Sequence, residues 1–388
     1  MEIQELTKEI RDSYLERMKT RPPEKLATSW YQSDLLYAGF GKSLFVIVPT
    51  PGCSWALSDS GGCTMCSYIS DCTLEPIDAD LIVKLFKEQL EKHIEEIKSD
   101  GKDMPIAIKI FASGSFLNPN EVPIAARSEI LEIIANIDEI KEVIVESRPE
   151  YVNEEVLEEI FSIIPNKLFE VSIGLESQDD EVREEKINKG FTKEDFEKAV
   201  QTIAKINKNN KNNENNKNNK NDENNKNNEK TNDYIAKSKA YIFVKPILTS
   251  EKESIDEAIA TAKYCENVGV NRVSFCPATI HRGTLIERLW RKGAYQPPWI
   301  WSVVEIINES RKTLNIPTFM DTSGFGSRRG PYNCKKCNKD LKHKIIDSNL
   351  DQSIIENKEC QCKNQWIAEI KSSSLNKSKT RPKHLPLL

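Results

Sequence analysis

The sequence predicts an α/β protein organised as a partial (β/α)6, TIM-like barrel with a small Cys-rich C-terminal extension. Three observations lead there. Six short apolar runs alternate with helical stretches, four of the ten cysteines crowd into residues 51–72 just after the first run, and the alternation stops after residue 285. The expected organisation is an N-terminal helical extension over 1–40, the barrel over 41–285 and an extension over 286–388.

Taken in order, the expected strands are "SLFVIV" from 43, "IAIKIF" from 106, "EVIVES" from 142, "FEVSIGLES" from 169, "AYIFVKPI" from 240 and "RVSFCPA" from 272. Each is a short apolar, β-branched or aromatic run bounded by polar residues. The helical stretches between them cover 79–98, 125–137, 153–163, 193–206 and 254–268. Residues 207–232 hold 15 Asn and no large apolar side chain, so burial there cannot offset the entropy of ordering the backbone. A disordered Asn-rich insertion is expected, replacing one surface turn at little cost to the barrel.

With 388 residues at 38% hydrophobic, the chain can bury a sizeable core. Its N-terminus is charged and helical in pattern, and its longest apolar run falls far short of the ~20 residues that span a bilayer. Export and membrane insertion are disfavoured, and a cytoplasmic, reducing location fits ten cysteines used as thiolates better than a disulfide framework. The net charge of -5 hides an asymmetry: residues 327–388 carry 14 Lys+Arg against 6 Asp+Glu. Such a tail suits a phosphate backbone, or is simply solvated.

In "PGCSWALSDSGGCTMCSYISDC", Cys53 is followed after nine residues by Cys63 and after two more by Cys66, with Cys72 downstream. A pair two residues apart clamps a metal from one turn, and Gly61 and Gly62 let the backbone wrap closely. Structural zinc usually takes two separated pairs, whereas three thiolates on one loop leave a site of a 4Fe-4S cluster open to a substrate.

This pattern after the first strand resembles that of the radical S-adenosylmethionine (SAM) enzymes, in the long-spaced form also seen in the Elongator catalytic subunit. The commonest spacing in that superfamily has three residues, not nine, between the first two cysteines, and Met65 stands where an aromatic is frequent. The resemblance implies cluster ligation by Cys53, Cys63 and Cys66. It implies SAM contacts from Met65, Ser67 and Tyr68, from Ser113, Gly114 and Ser115 in "FASGSF", from Glu146 and Arg148 in "ESRPEYV", and from Glu176 in "IGLES". Together with "SGSFLNP" and "VKPILTSEKESIDEA", these stretches resemble the radical SAM subunits of archaeosine synthase over about residues 25–335.

That narrower likeness implies a tRNA substrate carrying a lysine-bearing 7-deazaguanine in its D-loop. A 5'-deoxyadenosyl radical would take hydrogen from the lysine arm, leading to lyase-type carbon to nitrogen cleavage and archaeosine. It also implies a partner subunit that attaches the lysine and an electron donor such as ferredoxin or flavodoxin. Two rivals stand: a radical SAM enzyme with another tRNA base or a small metabolite as substrate, and a non-enzymatic RNA-binding subunit with two structural metal sites.

Cys334, Cys337, Cys360 and Cys362 form two close pairs that suit zinc, with an auxiliary iron-sulfur cluster or unrelated free thiols as alternatives. Arg328, Arg329, Lys335, Lys336, Lys339, Lys342 and Lys344 surround them and suit a tRNA backbone. Cys72 is expected to be a bystander, and Cys265 and Cys276 small core residues. "GFGKS" at 39–43 lacks the first glycine of a phosphate loop and precedes a strand, so it is a decoy. His281 is the one histidine placed to face a barrel mouth, and Trp290, Trp299 and Trp301 are expected to pack rather than stack on bases.

Overall fold

The computed structural model describes residues 2–100, 104–218, 235–356 and 359–372. Eight strands follow one another around a single curled sheet in the order β1 to β8. β1 (Thr28–Leu36) and β2 (Gly39–Ile47) form an antiparallel hairpin. β3 (Ile106–Phe111), β4 (Ile140–Ser147), β5 (Leu168–Glu176), β6 (Ile235–Val244), β7 (Arg272–Pro277) and β8 (Thr318–Met320) then add in parallel. The six expected strands are β2 to β7. The sheet also contains β1, inside the region expected to be helical, and the three-residue β8.

The helices between the parallel strands fall on the outer face, as right-handed crossovers require. They include α3 (Ala79–Glu91), α4 (Ile94–Asp100), α5 (Ile124–Ala135), α6 (Glu154–Ile163), α7 (Lys193–Asn218) and α8 (Glu251–Asn267), while α1 (Ile3–Leu15) precedes the sheet and the single turn α2 (Ser54–Leu57) lies in the loop after β2. The stretch expected as one helix over 79–98 is thus two, α3 and α4. Local chemistry sets several starts: Asp78, Asn153 and Ser250 each accept from a first-turn amide, and Ser250 with Glu253 closes a capping box. The helix expected over 193–206 continues as backbone helix to Asn218, while 219–234, most of the Asn-rich segment, lie outside the described residues.

Alternation along the strands separates two environments. On β5, Phe169, Val171, Ile173 and Leu175 join the core under the helices, while Glu170, Ser172 and Glu176 face the other way. β6 repeats this, with Ala240, Ile242 and Val244 outward and Lys239 and Tyr241 inward. The barrel interior is therefore polar. At its lower end the β1–β2 turn plugs it: Tyr37 Oη donates to Glu170 at 2.9 Å, Ala38 N donates to Glu142 at 3.0 Å, and Glu170 pairs with Arg272.

The C-terminal region is not a separate body. α9 (Leu285–Arg291), α10 (Ile300–Thr313), α11 (Asn338–Asp351) and α12 (Cys362–Lys371) pack onto the barrel, and Trp299, Trp301, Leu341, Ile345 and Trp366 belong to its main apolar core. α11 lies against both β1 and β8, the two ends of the open sheet. The outward backbone groups of β8 are met by side chains. Gln352 accepts from Thr318 N at 2.8 Å, Asn349 accepts from Met320 N at 3.0 Å and donates to Met320 O at 2.9 Å, and Arg311 donates to Thr318 O at 3.0 Å. No helix among the described residues is long and apolar enough to cross a membrane.

Candidate active site

The strands' carboxyl ends meet the cysteine loop on one side of the sheet. β2 ends at Ile47, and the chain passes through Thr50 to Cys53, which precedes the single turn α2. Gly61 and Gly62 follow with φ of +70° and +78°, and a Cβ on Gly62 would collide with Ala56, so this turn needs residues without one. Two elements remote in sequence, α1 and the segment 186–188, then hold the loop. From α1, Arg11, 2% exposed, donates to Gly61 O at 3.1 Å and to Cys66 O at 2.8 Å. Asn188, in the left-handed region with φ of 60°, donates to Ser60 O and Gly62 O at 2.8 and 2.7 Å. Thr64 N and its hydroxyl donate to Ile187 O and Lys186 O.

Cys53, Cys63 and Cys66 are free thiols and lie within one another's electrostatic reach. Burial, and then the nearby Glu121 carboxylate, push the Cys53 thiol up to about 12. Cys63 is also raised by burial, against the opposing charges of Lys189 and Arg148. Cys72 is 1% exposed, donates its thiol to Ile69 O at 3.0 Å, and sits against Gly52. Met65 packs against the apolar cluster that contains Ile187, Phe243 and Ala278, while Tyr68 is 57% exposed. The Glu146 carboxylate, then burial, raise the Tyr68 phenol. Ser67 directly precedes the short turn Tyr68–Asp71, without a side-chain capping bond.

The turn after β3 approaches this loop closely. A Cβ on Gly114 would strike the Glu121 carboxylate and come within 3.1 Å of Cys53 Cα. Ser113 donates to Asp71 O at 2.9 Å, and Ser115 Oγ accepts from Arg148 N at 3.1 Å. Glu121, not anticipated from the sequence, is the hub: it accepts from Ser54 N and Asn118 Nδ2, each at 2.8 Å, and from Ser115 N. Glu146, at the end of β4, is pushed to about 7 by burial, which the Tyr241 hydroxyl opposes by hydrogen bonding. Glu176 has φ of 69° at a β5 irregularity and pairs with Lys189 at 2.7 Å.

Arg148 spends its nitrogens on protein: it donates to Lys189 O at 2.9 Å and Gly190 O at 3.2 Å, pairs with Glu150, and lies 5.2 Å from the Trp55 ring centre. It positions the loop after β5 rather than reaching openly into the mouth. Cys276 corrects an expectation. Cys265 is fully buried in the core, but Cys276 is only half-buried and faces Asp321, Glu176 and Glu146 inside the barrel. Its position three residues along from Val273 on an alternating strand gave the sign.

At the rim, the guanidiniums of Arg328 and Arg329 lie 5.4 and 4.9 Å from the Trp290 ring centre, and Arg329 also pairs with Glu287. His281 is exposed beside Arg329. Trp299 and Trp301 are buried core residues. Lys335, Lys336 and Lys339 are exposed, and Lys342 and Lys344 half-buried. The sulfurs of Cys334, Cys337, Cys360 and Cys362 all lie within 4.8 Å of one another.

No protein-family model matches the chain. An uncharacterized protein of Methanocaldococcus jannaschii is 39% identical over 379 residues, spanning 96% of this chain and 94% of that protein. The archaeosine synthase subunit beta of Methanosarcina acetivorans is 34% identical over 90% of this chain and 91% of its own length. That of Thermococcus kodakarensis is 35% identical over 87% and 95%. Among solved structures, an N-terminally deleted Elp3 of Methanocaldococcus infernus overlays with a TM-score of 0.45 at 14% identity, over 70% of this chain and 60% of that one. By its likeness to the two named subunits along nearly their whole length, the chain belongs to the archaeosine synthase beta-subunit family.

Proposed function

We propose that the protein is the radical SAM subunit of an archaeosine synthase, converting a lysine-bearing 7-deazaguanine in the tRNA D-loop to archaeosine by radical carbon to nitrogen cleavage. The observation that carries this reading is the trio of free thiols, Cys53, Cys63 and Cys66, gathered at the mouth of a polar barrel. The names of the two related subunits support the narrower substrate.

The donor set fits a 4Fe-4S cluster with SAM at its open iron. Burial raises the Cys53 and Cys63 thiols, so a cationic centre would be needed to favour their thiolates, and a set of three cysteine ligands would leave one metal position for a substrate. When bound, cluster and SAM supply the electron and the hydrogen-abstracting 5'-deoxyadenosyl group. The chain's residues do the rest. Gly114 lets the Ser113–Ser115 turn lie directly against Cys53, which sets the backbone of that turn beside the space proposed for SAM. Glu146 and Glu176 place carboxyl groups around the same space, and the ion pair with Lys189 holds Glu176 in place. Ile280, Phe243 and Ile247 belong, with Cys63, to one buried apolar cluster.

A macromolecular substrate must reach this mouth from outside. The Arg328, Arg329 and Trp290 group at the rim offers cations and an aromatic face to an RNA backbone and an unstacked base. The designation of the relatives as beta subunits supports a partner subunit here, proposed to attach the lysine first, and a ferredoxin or flavodoxin is the proposed electron source. A cytoplasmic location is proposed with them.

The test is mass spectrometry of tRNA nucleosides after anaerobic incubation with SAM, reductant and lysine-bearing tRNA. Archaeosine and 5'-deoxyadenosine should both appear, and Cys63→Ala should abolish both. Formation of 5'-deoxyadenosine with no change in the tRNA would remove the substrate assignment; formation of neither by iron-loaded protein would remove the enzyme reading.

A further inference from the structure

The four C-terminal sulfurs form a closed ring of contacts. Cys334 and Cys337 are 3.4 Å apart, Cys337 and Cys362 3.6 Å, Cys362 and Cys360 3.4 Å, and Cys360 and Cys334 3.6 Å. A single ion with four metal-sulfur bonds of about 2.3 Å sets its tetrahedral sulfurs about 3.8 Å apart. The ring is slightly tighter than that and far too wide for disulfides, whose sulfurs lie about 2.05 Å apart. A four-iron cubane is a poorer match, because each cysteine then binds a different iron and the sulfurs are held well apart. Among the described residues, no other group of three or more Cys, His, Asp or Glu closes so tightly.

The surroundings are built as a ligand knuckle. Asn338 accepts from Asn333 N at 2.8 Å and Cys334 N at 3.1 Å, fixing the turn that carries the first pair. The buried Trp301 indole donates to Cys362 Sγ at 3.3 Å, a bond that favours a charged sulfur. Four thiolates around a divalent ion keep a net negative charge, and the exposed Lys335 and Lys336 lie between the first two ligands.

Position in the fold supplies the consequence. Cys337 directly precedes α11, the helix lying across the two ends of the open sheet, and Cys362 begins α12, whose Trp366 and Glu369 bond Ser302 and Trp299 of the α10 region. We propose that Cys334, Cys337, Cys360 and Cys362 bind one zinc ion, and that this ion ties α11 and α12 together so that α11 stays seated on β8. The site is independent of the mouth cysteines and of the substrate.

The test compares anaerobically purified full-length protein with two variants, a triple Cys53→Ala, Cys63→Ala, Cys66→Ala chain and a Cys360→Ser, Cys362→Ser chain. Metal analysis should find about one zinc per chain in the wild type and the triple variant, and none in the double variant. Absorption spectroscopy at the zinc edge should show four sulfur neighbours. Hydrogen exchange at Thr318, Met320 and α11 should rise at least tenfold in the double variant, with exchange in β3 to β5 unchanged. If the double variant does not fold, zinc stripping of the triple variant by a chelator reads out the same segments. Iron with sulfide at these cysteines, a triple variant without zinc, or unchanged exchange in β8 and α11 after zinc loss would each overturn the proposal.

Discussion

Glu121 offers the sharpest test of how the mouth is held together. Its carboxylate is 1% exposed and accepts three hydrogen bonds, two from backbone amides of the cysteine loop and the Ser113–Ser115 turn and one from Asn118. Hydrogen bonds to a charged group contribute about 1.5–3 kcal/mol each, and a donor left buried and unmatched costs about 1–3 kcal/mol. Partial relaxation and water entry reduce the sum, so Glu121→Ala should lower stability by about 3–6 kcal/mol, a large share of the roughly 5–15 kcal/mol typical of folded domains. Glu121→Gln retains the acceptor toward Ser54 and Asn118 but turns an amide toward Ser115 N, for a loss of about 1–3 kcal/mol. Urea unfolding of metal-free protein measures this, and iron per chain after reconstitution shows whether Cys53 is still presented. Gly114→Ala should mimic the defect by pushing the carboxylate aside, and should cost less in the Glu121→Ala background, where the space is free. An unfolding midpoint for Glu121→Ala equal to that of wild type, with full iron loading, would show that these contacts do not organise the site.

Two further outcomes follow from the same geometry. Burial raises Glu146 to about 7 from an unfolded value of about 4.3, so the folded state holds its proton more tightly, and the group favours folding at low pH. That contribution should be lost as pH rises from about 4 to 7, and the stability of wild type relative to Glu146→Gln should fall by about 1–3 kcal/mol across that window; equal pH profiles for the two proteins in chemical denaturation would contradict it. Arg11→Ala removes two bonds from the cysteine loop, and Arg11→Lys cannot restore their forked geometry. Both variants should lose iron faster than wild type in a chelator-challenge time course, whereas Cys72→Ala should not.

The six strands β2 to β7 were legible because their outward residues are apolar and regularly spaced, and the crossover helices share that regularity. β1 was not, since Trp30, Gln32, Asp34 and their neighbours alternate only weakly, and its pairing with β2 depends on a two-residue turn plugged by contacts to Glu142 and Glu170 over a hundred residues away. At three residues, β8 is too short to leave a periodic mark. The cysteine spacing pointed to the mouth, yet Arg11, Glu121 and Asn188 escaped notice because each acts on backbone atoms of a distant loop, where no local pattern betrays it. Arg148 shows the converse: a motif residue whose charge is spent on carbonyls and a neighbouring glutamate.

The amide and guanidinium groups on the outer margin of β8 also decide what the molecule can join. Unsatisfied margins of sheets invite strand addition, from a second copy or from an extended peptide. Here Gln352, Asn349 and Arg311 have already taken the places such a newcomer would fill. A companion polypeptide therefore cannot lengthen the sheet at that border without first dislodging α11.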